Sequence, residues 1–265
     1  MMKLVTLAVW LLLVASPAWA QGPSAAPGVE DKPRQILQQT IQALGGEKFL
    51  GVQDMVRRGR IYGFDRGELS SPGDRFVNYV KFKGKERLEF GKKGEIIYLN
   101  DDDQGWELDK QGIREMTPES IETFQQGLQR DFDYVFRFRL QQEPVQLYYL
   151  GTEFVDNRRA HAIEMVDERQ ESLLLYIDAR TSLPVQVRYK HRDVLSGEFV
   201  EVIEYYGKWV SLQGIQTPMA ISRERGGRRY FEVYISEVQY NAGLDDQLFT
   251  RASLEERWAK VGKKK

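Results

Sequence analysis

Residues 173–189, LLLYIDARTSLPVQVRY, decide how the chain folds. The first limb, residues 173–177, is an apolar run that closes on an aromatic and a β-branched side chain. The second, residues 185–189, alternates apolar and polar side chains, which is the period of a half-buried strand. Between the limbs, Asp178 and Ser182 belong to the residue types that bond their own backbone in turns. Pro184 fits the start of a strand but not its middle. The stretch therefore reads as a β-hairpin with a long loop. Leu183-Pro184 pins the register, so that Val185, Val187 and Tyr189 share one inward face.

Working outward, the same signals recur on both sides. Residues 52–62, 74–83, 87–90, 95–100 and 105–108 read as strands, with turn signals between them at Ser71-Pro72-Gly73, Gly91-Lys92-Lys93-Gly94, Asp101-Asp102-Asp103 and Lys110-Gln111-Gly112. Residues 145–151, 160–166, 198–206, 219–222 and 230–239 extend the series, and Gly226-Gly227 supplies a hairpin turn. Close spacing of strands points to an antiparallel sheet with consecutive neighbours. Two helices flank or interrupt it. Residues 33–44 place Ile36, Leu37, Ile41 and Leu44 at helical spacing, with Asp31 as N-cap and Gly45-Gly46 as stop. Thr117-Pro118-Glu119 then starts a helix that runs to about Leu140, with Ile121, Phe124, Leu128, Phe132, Val135 and Phe136 on an aromatic face. This helix is either packed core or a movable lid. A sheet of ten or more strands must curl. The expected fold class is α+β: a large curled antiparallel sheet, a half-open barrel, with helices covering its concave face.

Totals narrow the function. Charged residues make up 29% of the 265-residue chain and the formal net charge is −1, which gives no footprint for nucleic acid. There is no cysteine, so disulfides and thiol chemistry are excluded. The N-terminus has Lys3, an uncharged apolar run over residues 4–14, and Ala18-Trp19-Ala20. That pattern is a secretory signal peptide over residues 1–20, cleaved after Ala20. The expected organisation is then a flexible segment over 21–32, one domain over 33–261, a basic tail over 262–265, and no membrane span in the mature chain. The expected location is the periplasm.

Several motifs together resemble the LolA-like family of periplasmic outer-membrane lipoprotein-sorting carriers. They are Ile41-Gln42-Ala43-Leu44-Gly45-Gly46, Gln104-Gly105-Trp106-Glu107 with the later Thr117-Pro118-Glu119-Ser120, Tyr176-Ile177-Asp178 with Thr181 and Leu183-Pro184, Tyr205-Tyr206 through Trp209, Gly214-Ile215, Thr217-Pro218, and Asn241 with Leu244 and Leu248-Phe249. The chain departs from the usual carrier in its length and in the acidic loop at residues 101–103. The resemblance implies a half-open barrel with a helical lid, holding acyl chains, and carries over no catalytic residue. The partner it implies is a lipid or lipidated protein, with inner- or outer-membrane envelope proteins as further contacts.

No nucleophile-elbow, zinc-protease, P-loop or dinucleotide motif occurs. Asp101-Asp102-Asp103 lacks the rest of a calcium-loop ligand set and reads as a hairpin tip. His161, His191 with Asp193, and the pair Glu201 and Glu204 read as structural or surface groups. No cofactor, metal or catalytic residue is expected. The candidate ligand-lining residues are Phe76, Val80, Phe82, Leu88 and Phe90 from the sheet, with Phe124, Leu128 and Phe132 from the helix. An apolar gap lined by them suits an alkyl chain, at about 0.8 kcal/mol per buried methylene. A filled core with a protein partner at its rim is the alternative, and a hydrolase with a dispersed site is the third reading.

Overall fold

A computed structural model describes residues 31–92, 94–142, 144–192 and 197–262. The expected signal peptide and most of the leader segment lie outside them, as do residues 263–265.

The sequence hairpin forms β10 (Ser172–Asp178) and β11 (Pro184–Arg192), with Leu173 opposite Tyr189 and Leu175 opposite Val187. The Asp178 carboxylate accepts from the amides of Arg180 and Thr181 at 2.8 and 2.9 Å, which explains the turn. One expectation fails. A bulge opposite Tyr176 and Ile177 leaves Val185 as an extra residue between Pro184 and Gln186. Val185 is thereby rotated into a small cluster with Ala160, Ala162 and Tyr176, while Val187 and Tyr189 join the main core on the opposite, concave face.

Around this hairpin the chain builds one open, curled antiparallel sheet. It begins in the middle with β1 (Asp54–Asp65), to which the two-residue β2 (Glu68–Leu69) adds locally. It then steps outward through β3 (Asp74–Lys81), β4 (Lys85–Phe90), β5 (Ile96–Asp101), β6 (Gln104–Asp109) and β7 (Gly112–Glu115), which is one edge. A helical segment carries the chain to the other edge, β8 (Gln146–Val155). From there β9 (Arg158–Val166), β10, β11, β12 (Phe199–Leu212), β13 (Ile215–Arg225) and β14 (Arg228–Tyr240) step back inward. The two meanders are joined where β14 pairs with β1, Met55 opposite Tyr240.

α1 (Lys32–Leu44) buries Ile36, Leu37, Ile41 and Leu44 against the sheet near β8 and β13. Asp31 makes no side-chain cap; Pro33 in the first turn removes one amide that would need capping. The stop at Gly45 has a specific cause. Its φ is 132°, and a Cβ there would meet the Gly214 carbonyl oxygen at 2.7 Å, so the helix end can sit on the β12–β13 turn. A single turn, α2 (Glu47–Leu50), then inserts Phe49 into the core. On the convex side the C-terminal helix buries Leu254 against Ile97, Leu99 and Leu108.

Candidate functional site

The segment between the two sheet edges is expected from its apolar spacing to be one helix. The structure breaks it at Asp131. α3 (Pro118–Arg130) starts as its sequence demands, with Thr117 accepting from the Ser120 amide at 3.3 Å and proline in the first turn. It ends because Asp131 adopts an extended backbone (φ −64°, ψ 136°) and caps a second helix. Its carboxylate accepts from the amides of Asp133 and Tyr134 at 2.9 and 3.3 Å. α4 (Phe132–Tyr134) follows, then a π-helical turn (Val135–Arg139), then α5 (Leu140–Gln142). An Asp inside a helical pattern can compete with the helix for backbone amides, and here it wins.

The two sides of this break differ. Beyond it, Phe132, Val135 and Phe136 are buried in the main core, and Phe132 lies against Phe136, Tyr206 and Trp209 with ring centroids 5.3–5.9 Å apart. Arg137 is fully buried, bound to Asp133 at 2.8 and 3.0 Å and lying 3.8 Å from the centroid of the Phe49 ring. Its Nη1 has no hydrogen-bond partner among the described residues. A void of about 30 Å³, the scale of one water molecule, sits against this seam. Arg57, Asp131, Asp133 and Glu204 surround it. Burial, with the charge of Asp133 added, pushes the Asp131 carboxyl up to about 7. Burial also holds the Tyr206 hydroxyl well above its ordinary value, and Tyr206 donates to Glu204 at 2.8 Å. Glu204, read from sequence as a surface charge, is thus interior, and it pairs with Arg223.

Before the break the picture reverses. Arg130 is the buried residue of α3, whereas Ile121, Phe124 and Leu128 stay half-exposed. The helix touches chiefly the helical turns that follow it. Under it opens a groove of about 680 Å³, within the usual range for small-ligand sites. Phe124, Leu128, Tyr134 and Pro144 form its apolar part, and the turns at Lys83-Gly84, Asp102-Asp103 and residues 167–171 form its rim. Gln125 ties α3 to this rim by donating to the Asp102 carbonyl at 3.0 Å.

The eight candidate lining residues are therefore divided. Phe76, Val80 and Phe132 belong to the packed core, with Phe82, Leu88 and Phe90 partly buried against it. Phe124 and Leu128 line the groove. The buried charges were missed because their burial depends on how the helical segment packs against the sheet, which neither segment records by itself. Arg137 carried a weak signal, four residues after Asp133 on a helical pattern. His161 meets the Tyr149 hydroxyl at 3.1 Å. Asp193 lies outside the described residues. Among the described residues no group of three or more His, Asp or Glu is placed to hold a metal, and no helix is long and apolar enough to cross a membrane.

The overall architecture of this chain is shared with several solved structures. A DUF1329 family protein from Desulfovibrio piger superposes with a TM-score of 0.58 at 16% identity, covering 84% of this chain and 98% of that one. A domain named for outer-membrane lipoprotein sorting from Vibrio parahaemolyticus gives 0.56 at 14% identity, covering 85% and 99%. A LolA superfamily protein from Nitrosomonas europaea gives 0.53 at 13% identity, covering 84% and 99%. The fold is LolA-like. No protein-family model matches the sequence, and no curated protein sequence does. At these identities the LolA-like architecture is shared and the ligand is a separate question.

Proposed function

We propose that the protein is a non-catalytic periplasmic carrier that shields an acyl chain, of a lipid or of a lipidated protein, in the groove beneath α3. One observation carries this reading: Phe124 and Leu128, of the apolar stripe of α3, are left half-exposed on a groove of about 680 Å³ instead of being packed into the core. An amphipathic helix normally buries such a stripe. The break at Asp131 gives α3 a hinge, and the buried turns behind it give that hinge a fixed base. The LolA-like fold supports the reading, as does the sequence pattern of a signal peptide over residues 1–20 ahead of a single domain over 33–261.

The test is mass spectrometry of solvent extracts from the protein purified without detergent. Acyl species near one per protein are expected, lost in Phe124→Glu and Leu128→Glu variants that retain the wild-type circular dichroism spectrum. An empty extract, with no binding of an environment-sensitive acyl probe, would sink the proposal. The second reading, an envelope binding module with a protein partner, takes its support from the filled core around Phe132 and from Phe154, 81% exposed on edge strand β8. A stable partner in pull-down together with an empty extract would favour it.

A further inference from the structure

A second groove, of about 530 Å³, adjoins the first. Gln126 of α3 and Glu171 of the β9–β10 turn line both, so the boundary between the grooves is the C-terminal turn of α3 and that turn. At the boundary Arg130 donates to Glu171 at 3.0 Å and lies 5.2 Å from the centroid of the Tyr189 ring. The second groove crosses the rim of the sheet where β10 and β12 begin and β11 ends. Tyr189 belongs to the concave face, and Arg188 and Lys190 alternate to the convex one.

The two grooves carry opposite charge. The first has six carboxylates, Asp102, Asp103, Glu122, Asp167, Glu168 and Glu171, against Lys83 and Arg169. The second has four cations, Arg130, Arg188, Lys190 and Arg192, against Glu171 and Glu201. Glu201 stands opposite Lys190 in the β11–β12 register, which leaves the groove cationic on balance. Burial pushes His191 below its ordinary value, its hydrogen bond to the Arg192 backbone opposes that push, and the charge of Arg130 in the groove adds to it. Leu174 and Phe199, the latter 75% exposed, give the basic groove an apolar border. An arginine-lined recess of this kind suits phosphate oxygens, which accept the paired N–H donors of a guanidinium.

Resting on the acyl-carrier reading above, we propose that the second groove holds the phosphate of an anionic amphiphile whose chain lies under α3. The acidic rim of the first groove repels the head and the basic groove attracts it, so one molecule binds in one direction. Its phosphate competes with Glu171 for Arg130 and thereby loosens the contact that ties the end of α3 to the sheet. Specificity would then lie for single-chain or diacyl phospholipids of net negative charge over neutral lipids.

The experiment compares lysophosphatidate with the monoacylglycerol of the same chain, two molecules that differ by the phosphate. Each displaces a neutral environment-sensitive acyl probe from the protein below micelle-forming concentrations. Lysophosphatidate is expected to bind about tenfold tighter, equivalent to about 1.4 kcal/mol. That ratio should fall toward one in the Lys190→Gln/Arg192→Gln double variant, whose altered side chains are exposed, and also as salt rises. Equal affinities, or a preference that survives the double variant, would overturn the headgroup site while leaving the carrier reading in place. Loss of the preference on adding inorganic phosphate at a concentration equal to the lipid's would overturn it too, by showing a site for free anions. If neither lipid displaces the probe, the carrier reading falls and the headgroup site with it.

Discussion

Residues 118–130 and 132–139 are separated by Asp131 alone and both helical, with an apolar residue every three or four positions, yet they hold to the sheet in opposite ways. The second stretch buries Phe132, Val135 and Phe136 and even two arginines, Arg137 and Arg139. The first buries Arg130 and keeps its apolar stripe in partial contact with water. Burial in a packed interior fixes position; a half-exposed stripe over a groove leaves a helix free to trade one apolar contact for another. The comparison teaches that amphipathicity marks where a helix must be covered but not by what. Here the same pattern is covered by core on one side of Asp131 and, on the proposed reading, by ligand on the other.

The largest effects should come from the anchored side. Phe136→Ala leaves a cavity at a fully buried site and is expected to cost about 3–5 kcal/mol in denaturant unfolding. Arg137→Ala strips Asp133 of its closest cation inside the core and should cost a similar ~3–5 kcal/mol. A loss under about 1 kcal/mol in either variant would mean that the π turn is not the fixed base described.

Next in size is the break itself. Asp131 has its carboxyl pushed up to about 7, above its ordinary 3.8, so ionising it costs more in the folded chain than in the unfolded one. The folded protein therefore loses stability as pH rises from about 4 to about 7, and the loss is complete above that window. Asp131→Asn keeps an oxygen to cap α4 and removes the charge. The variant should be more stable than wild type at pH 8, on the order of 1–3 kcal/mol, with the difference shrinking toward pH 4. A constant difference across that range would place the carboxyl in water.

The smallest effect on stability, and the most telling for function, belongs to the free side. Phe124→Ala should change unfolding free energy by less than about 1 kcal/mol, yet weaken acyl-probe binding. In hydrogen exchange, amides of α3 should exchange well before those of residues 135–139. Equal protection of the two stretches would erase the contrast.

Much of this architecture was legible in the sequence. Strand alternation and turn residues located nearly every hairpin, because period two and turn chemistry are local properties. The helix stop at Gly45-Gly46 was legible for the same reason. Three features were not. The bulge that turns Val185 outward arises from cross-strand register, which no single strand records. The break at Asp131 depends on one side chain outcompeting a helical pattern that is otherwise intact. The interior charges of Glu204 and Arg137 look like surface residues until β12 and the helical segment are brought together. Of the candidate lining set, sequence identified the concave face but could not divide it into filled and open parts, since a packed phenylalanine and a lining one occupy the same position in a strand.

The pairing of β1 with β14 has a consequence for how the molecule comes into being. Every other long strand finds its partner within a hairpin or across the crossover's own meander, but Met55 must wait for Tyr240. Closing so distant a pair is entropically slow, and a growing chain cannot do it until its last strand has been made. A chain emerging from the ribosome therefore has two half-sheets without a seam. Until that seam closes, β1 presents an unpaired edge beside β3, the kind of strand edge that can pair with another chain.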